Sequence, residues 1–453
     1  MSEPAVLKGS QRRWFVFTLL MGTFTMSISQ SALSTAYPTL MRYFQIPAST
    51  VQWLTTGFML IMCVMMPVSP WLLSNIGFKS LFLAVLAIFD LGTLLIIVAP
   101  TFWLVLLGRA MEAVGVGILF PSYQTVLLSI TPRTERGSVM GVAGLVMGSA
   151  LAVGPIISGL VLRVTTWQGL FVTFLLIITA VLLVGFGTIK NVLPSSQSAL
   201  DWLSVVSLVG FIGILYVVNL IGQPAVNWGT AAVLLAVSLV AVVGFAVRQF
   251  RLTTPLLDLR VFAVRQFNVG AWLTSFSYIA LIVVTIIWPL YYQEALGVSP
   301  FISGMALVPG AVALSLLNPV TGRLADRLGF KTVLLIGMLM ILLGWGMVAL
   351  IPGRLPLWAM MGVAMLIEGG NAFVMMPAVT LGADALPDHL VAHGTAVITT
   401  MRQLLGSTGV AVATLVLAAG GFRLVFWSFF VLELVGLGLA LTLKERRQEK
   451  PNN

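Results

Sequence analysis

Residues 82–98 read Phe82-Leu83-Ala84-Val85-Leu86-Ala87-Ile88-Phe89-Asp90-Leu91-Gly92-Thr93-Leu94-Leu95-Ile96-Ile97-Val98, and Asp90 is the one charged residue among them. A segment crossing the hydrocarbon core of a bilayer needs about 20 mostly apolar residues. In that core every backbone N–H and C=O must be paired internally, so an isolated span is helical. The stretch therefore reads as a membrane-spanning helix that carries a carboxyl. Phe15–Met26 and Val233–Val247 are likewise free of charge. Over the 453 residues, 59% are hydrophobic and 8% charged, against about 25% charged in a soluble domain. Too little polar surface is available to cover a water-soluble fold of this size. The alternating segments of about ten residues that make a membrane barrel are absent. The fold class is an all-α membrane protein of about 14 spans. They are placed at 14–38, 51–73, 80–99, 102–130, 138–162, 167–188, 201–221, 229–247, 268–292, 301–322, 332–352, 356–382, 395–419 and 424–443.

The net charge of +10 raises nucleic acid as a partner, and its distribution argues against one. With the N-terminus inside, most basic residues fall on inner segments. Only Arg42, Arg163, Arg354 and Arg423 fall on outer ones, and Arg109 and Arg402 lie within spans. This is the positive-inside pattern, with both termini cytoplasmic. The first span is too long for a signal peptide and no small-residue cleavage pattern ends it. Cys63 is the single cysteine, so no intrachain disulfide and no thiolate metal cluster can form. It reads as a small buried apolar residue. His389 and His393 read as solvated rather than metal-binding. No Gly-rich phosphate loop, Ser-His-Asp order or zinc pattern appears. The chain is read as a non-enzyme with no metal and no cofactor.

Two halves repeat. Gly77-Phe78-Lys79 follows the second span and Gly329-Phe330-Lys331 the tenth; Glu112 precedes Pro121 by the same nine residues as Glu368 precedes Pro377. Parallel internal repeats are a transporter architecture, with the binding site between the halves near the midplane. The expected organisation is an N-terminal six-helix bundle over 1–190, a linker and two inserted helices over 191–252, and a connector, second six-helix bundle and tail over 253–453. Pro194-Ser195-Ser196-Gln197-Ser198 reads as the linker. The run from Arg248 to Phe267 reads as a solvated connector facing lipid headgroups.

Gly322-Arg323-Leu324-Ala325-Asp326-Arg327-Leu328-Gly329-Phe330-Lys331 runs on from the end of the tenth span, and in it the sequence resembles the loop signature between the second and third helices of a half in the major facilitator superfamily, and within it the 14-helix drug:proton antiporters. Val51-Gln52-Trp53-Leu54-Thr55 matches the start of helix 2, and Thr254-Pro255-Leu256-Leu257-Asp258-Leu259-Arg260-Val261-Phe262 the connector. His393-Gly394 through Arg402-Gln403-Leu404-Leu405-Gly406-Ser407 matches helix 13. Gly148 through Gly159, with Gly154 and Pro155 inside it, is similar to the antiporter motif of helix 5, which implies export. The resemblance implies a major facilitator fold of two six-helix bundles plus two inserted helices. Gating would lie with Gly154, Pro155, Gly159, Gly322, Asp326, Arg327 and Lys331. Gly322 would allow close helix approach, and Asp326 would pair with a nearby base or a helix N-terminus as a releasable latch. Arg327 and Lys331 can equally serve topology alone, and packing alone can account for the glycines.

Ionisable groups at membrane depth are costly and mark function. Asp90, Arg109, Glu112, Glu368, Arg402 and Glu433 qualify. Arg109 and Glu112 share a helix face. Arg109 matches the family's membrane-embedded arginine, and Glu112 stands where glutamine is usual. The mapping puts Glu112 and Glu368 on opposite walls of a central cavity, with Ser29, Gln30, Asn371 and Arg402 beside them. There a proton and a cationic substrate would compete for one carboxylate, driven by the proton gradient. The alternatives are a structural Arg109–Glu112 pair and a packing hydrogen bond at Glu368. Asp90 and Glu433 lie on helices that are peripheral in this fold. Two departures stand out. Ser29 occupies the place of the family's helix 1 Asp, and Pro70, Ser74 and Asn75 erode the first-half loop signature. The leading reading is proton-coupled export of amphipathic or cationic molecules by a monomer in a bacterial cytoplasmic membrane. Export of a lipid, metabolite or peptide-like product, and an uncoupled transporter-like sensor, are the alternatives.

Overall fold

The computed structural model describes residues 7, 9–194, 198–220, 226–351 and 355–443. Its described regular elements are all helical. In chain order α1 is Gly9–Phe44, α2 Trp53–Asn75, α3 Phe78–Ile97, α4 Phe102–Ser129, α5 Arg136–Val164 and α6 Trp167–Thr188. α7 consists of Trp202–Ser207 and Val209–Leu220, joined at Leu208, and α8 is Trp228–Arg251. α9 is Arg265–Glu294, α10 Val308–Leu328, α11 Phe330–Leu350 and α12 Leu357–Asp384. The final helix, Val391–Leu441, is interrupted at Gly420 and at Gly421, whose φ of 71° only glycine adopts freely. It therefore provides two arms, α13 over 391–419 and α14 over 422–441.

Among the described residues, 12 helices are long and apolar enough to cross a membrane. The interrupted Val391–Leu441 is one of these and supplies two spans; the shorter apolar Trp202–Val218 supplies one more. That makes 14, arranged as six, an inserted pair, and six. Of the expected linker, Ser195, Ser196 and Gln197 lie outside the described residues, as does the basic tail from Lys444.

Packing groups the chain into two compact units. One comprises Met1–Ile130, Val146–Val261 and Pro387–Thr408; the other comprises Thr131–Leu145, Phe262–Leu386 and Gly409–Asn453. In the first unit α4 packs on α1, α2 and α3, and in the second α12 packs on α9, α10 and α11. Glycine pairs set the closest approaches in both. A Cβ at Gly108 would lie 2.5 Å from the Gly92 carbonyl oxygen, and one at Gly370 would lie 2.8 Å from the Gly337 carbonyl oxygen. Small residues let helix backbones meet, which is how helices associate where lipid removes the hydrophobic drive. The second unit adds an aromatic cluster in which Trp345 sits 5.9 Å from Trp288 and 5.3 Å from Phe429, centroid to centroid.

The inserted pair lies within the first unit; an ion pair joins its two helices, and apolar packing and bonds to the linker tie it to α2. Asp201 caps α7 and accepts from Arg248 Nε at 2.6 Å and Nη2 at 2.7 Å. The Arg248 guanidinium holds the Asp201 carboxyl well below the usual carboxylate range. Tyr216 stacks on Trp53, and Cys63 packs with Leu60 and Leu215. Asn75, read as a lost signature residue, instead grips the linker: its Oδ1 accepts from the Ser198 N–H at 2.7 Å.

The connector departs from its solvated reading. Arg251 and Arg260 are exposed, but Leu256, Leu257 and Val261 are buried. The Gln249 side-chain Oε1 accepts from the Leu257 N–H, and His393 Nδ1 accepts from the Asp258 N–H at 3.0 Å. His393 is thus a structural acceptor rather than a solvated side chain. The connector is amphipathic, and Leu256, Leu257 and Val261 find protein instead of headgroups, while Phe250 and Phe262 stay exposed.

Candidate functional site

In the first unit the site grows from one face of α4. Arg109 and Glu112 lie three residues apart, one turn on a helix, and both are fully buried, at 1% and 0% exposure. Arg109 Nη1 meets Glu112 Oε2 at 2.5 Å. The same nitrogen reaches Ser29 Oγ on α1 at 3.4 Å, and the guanidinium lies 4.2 Å from the centre of the Phe58 ring on α2. Thr93 on α3 donates to Glu112 Oε1 at 2.7 Å. Four helices therefore converge on one ion pair. Gly92 and Gly108 make this convergence possible, because α3 and α4 cannot approach so closely across side chains. Tyr37 of α1 bonds Thr55 of α2. Gln30 is half-buried, and Arg402 on α13 is 8% exposed. Asp90 is half-buried and accepts from Thr179 Oγ1 of α6 at 2.9 Å.

In the second unit Glu368 is 6% exposed on α12. Asn371, fully buried, donates to its Oε2 at 3.3 Å and accepts from Ser277 Oγ of α9 at 2.8 Å. Among the described residues Glu368 is held without a cation, where Glu112 is held by one. Gly310 of α10 approaches its side chain, so that a Cβ there would lie 3.1 Å from Cγ. Glu433 is fully buried on α14, and neither carboxyl oxygen finds a hydrogen bond among the described residues.

Asp326 sits at the start of α5, within the second unit. Its Oδ1 accepts from the Gly137 N–H at 2.8 Å and its Oδ2 from the Ser138 N–H at 2.7 Å. A carboxylate on a helix N-terminus meets both orphan donors and the positive end of the dipole. Arg136 of the same turn pairs with Asp384 at the end of α12. Gly322 permits the contact, since a Cβ there would lie 2.2 Å from the Gly137 carbonyl oxygen. Arg327 is exposed and Lys331 half-buried.

The helix 5 motif divides. Gly154 meets α1 closely, and a Cβ on it would lie 1.9 Å from Ser31 Oγ. Ser31 Oγ also donates to the Ala150 carbonyl at 2.8 Å, and Thr35 bonds Ser158. Gly159 is exposed and faces open space, so the flat packing face expected of the whole motif stops short of it. The helix continues through Pro155. The side chains of Leu151 and Ala152 lie outside the described ones, as does that of Ser34.

Sequence reasoning missed Thr93, Phe58 and Ser277. None carries charge, so none stands out among the hydroxyls and rings of an apolar helix. For Thr93 a faint signal exists: it lies one turn from Asp90.

Comparison with known proteins converges on one family. The sequence profile described as Major Facilitator Superfamily matches residues 19–284 and 270–453. The chain is 36% identical over 402 residues to the uncharacterized MFS-type transporter YhcA of Bacillus subtilis, covering 88% of this chain and 75% of that protein. It is 34% identical over 408 residues to the lincomycin resistance protein LmrB of Listeria monocytogenes, covering 89% and 86%. Its fold is similar to the crystal structure of the human organic anion transporter MFSD10, with a TM-score of 0.71 at 14% identity, over 96% of this chain and 100% of that one.

Proposed function

The chain belongs to the major facilitator superfamily, and from that premise we propose that it exports amphipathic or cationic small molecules in exchange for protons entering the cell. It is a transporter of small molecules and not an enzyme. The observation that carries the finer reading is Glu112, a carboxyl with no solvent access, clamped by Arg109, and sharing that guanidinium with Ser29 and Phe58. A buried ion pair is a poor stabiliser, because desolvating two charges offsets most of their attraction. Two groups that give up hydration for so little net gain suit a pair that is meant to change charge. Protonation of Glu112 would release Arg109, and a substrate cation would compete for the same carboxylate. Glu368, held by Asn371, offers a second such carboxyl. Relatives named for lincomycin resistance support a drug-like cargo.

Alternating access would then involve Asp326 leaving the N-terminus of α5 in one state and returning in the other. The working unit is a monomer in a bacterial cytoplasmic membrane, with both termini inside, lipid around it, and the proton gradient in place of any cofactor.

The test uses purified protein in proteoliposomes with an imposed pH gradient and ethidium as cargo. Native protein moves the dye with the gradient, and Glu112→Gln loses at least about tenfold of that rate, on the scale of a lost transition-path interaction of about 1.4 kcal/mol. Unfolding temperatures of both proteins in detergent check that the variant is intact. Equal rates would make Glu112 structural. No movement of any lipophilic cation would end the drug-export reading.

A further inference from the structure

Thr93 is fully buried on α3, and its hydroxyl stands between two acceptors. Oγ1 lies 2.9 Å from the Phe89 carbonyl oxygen and 2.7 Å from Glu112 Oε1. A hydroxyl has one hydrogen and two lone pairs. It donates to one of those oxygens at a time. Arg109 occupies the other carboxyl oxygen, Oε2, and a guanidinium can only donate. A proton arriving at Glu112 is therefore received on Oε1, the atom that faces Thr93.

Two arrangements follow, and each satisfies its donors. With Glu112 ionised, the Thr93 O–H donates to Oε1. With Glu112 protonated, the Oε1–H donates to Thr93 Oγ1, and the Thr93 hydrogen turns to the Phe89 carbonyl. One torsion separates them, and no heavy atom need move.

We infer that Thr93 is a positioning residue for proton exchange at Glu112, its hydroxyl turning between the carboxyl and the Phe89 carbonyl as the proton leaves and arrives. The inference rests on the reading of Glu112 as the coupling carboxylate. The other charged groups around Glu112 are Arg109 on its own helix and Asp90 on α3, which feels the charge of Glu112. From α1, Tyr37 interacts with Arg109, and α2 presents the neutral Phe58 ring. Among the described residues none of these bonds Oε1: Tyr37 is bonded to Thr55, Asp90 to Thr179 and Arg109 to Oε2, which leaves Oε1 to Thr93.

A hydrogen bond to a carboxylate is roughly twice as strong as one between neutral groups. Removing the hydroxyl therefore weakens the ionised state more than the protonated one. Thr93→Val keeps the shape and removes the switch, and Thr93→Ser restores the hydroxyl.

The experiment is infrared difference spectroscopy of the full-length protein in detergent, titrated with acid and base. It follows the C=O band of protonated carboxyls, and the part absent in Glu112→Gln belongs to Glu112. In Thr93→Val the midpoint of that band moves to higher pH by about one unit, and in Thr93→Ser it returns to the native position. Thr93→Ala serves if Thr93→Val does not fold. An unmoved midpoint in the hydroxyl-free variant, or an equal shift in Thr93→Ser, overturns the inference alone. No band lost in Glu112→Gln at any pH overturns the coupling reading and this inference with it.

Discussion

A guanidinium with no water to solvate it must find every partner in the protein. Arg109 finds a carboxylate, a hydroxyl and the face of a ring. The ring counts here, because a desolvated cation over an aromatic face gains about 2 kcal/mol. Breaking such a set on one side leaves a buried charge alone. Arg109→Met is expected to cost about 3–5 kcal/mol of stability, whereas Arg109→Met combined with Glu112→Leu should come back close to native stability. Thermal or denaturant unfolding in detergent checks both. Transport should be lost in the two variants alike, so stability and activity part company in the double variant. A double variant as unstable as the single one would mean that the pair is a structural keystone after all.

At the scale of elements, some glycines meet a neighbouring backbone, some meet a side chain, and some meet nothing. Gly108 belongs to the first kind and Gly159 to the last. Gly108→Ala forces a methyl to within 2.5 Å of a carbonyl oxygen on α3, and should lower stability by about 1–3 kcal/mol while displacing the helix that carries Glu112. Gly159→Ala sits on an exposed helix face, and should be neutral or stabilising by up to about 1 kcal/mol. Melting curves of the two variants side by side decide this. Equal destabilisation would show that packing at Gly159 was overlooked. The break at Gly420 and Gly421 is an element-scale feature of another kind. It turns one continuous apolar run into two spans without a polar loop.

For the whole molecule, the first prediction is topological. Cys63 is buried, so an introduced cysteine can be read against a silent background. Arg260→Cys lies on the exposed side of the connector. An impermeant maleimide should label it in inside-out vesicles and leave it unlabelled in right-side-out ones; the reverse pattern would invert the proposed orientation. The spans were legible because lipid allows no other use for apolar runs of that length. Arg109, Glu112 and Glu368 were legible because charge in an apolar helix has no ordinary explanation. Asp326 on a helix N-terminus was anticipated from its chemistry. The connector was not legible: Leu256, Leu257 and Val261 have the composition of a headgroup-facing stretch, and His393, which pins it, comes far later in the chain. Thr93 and Phe58 escaped because their importance lies in what they touch, which composition does not record. Backbone-to-backbone contact at Gly92 with Gly108, and at Gly337 with Gly370, also has a consequence on the evolutionary scale. A frame whose spacing is set by main-chain atoms leaves the side chains lining its interior free to turn over. Cargo preference can then wander from lineage to lineage while the scaffold stays recognisable.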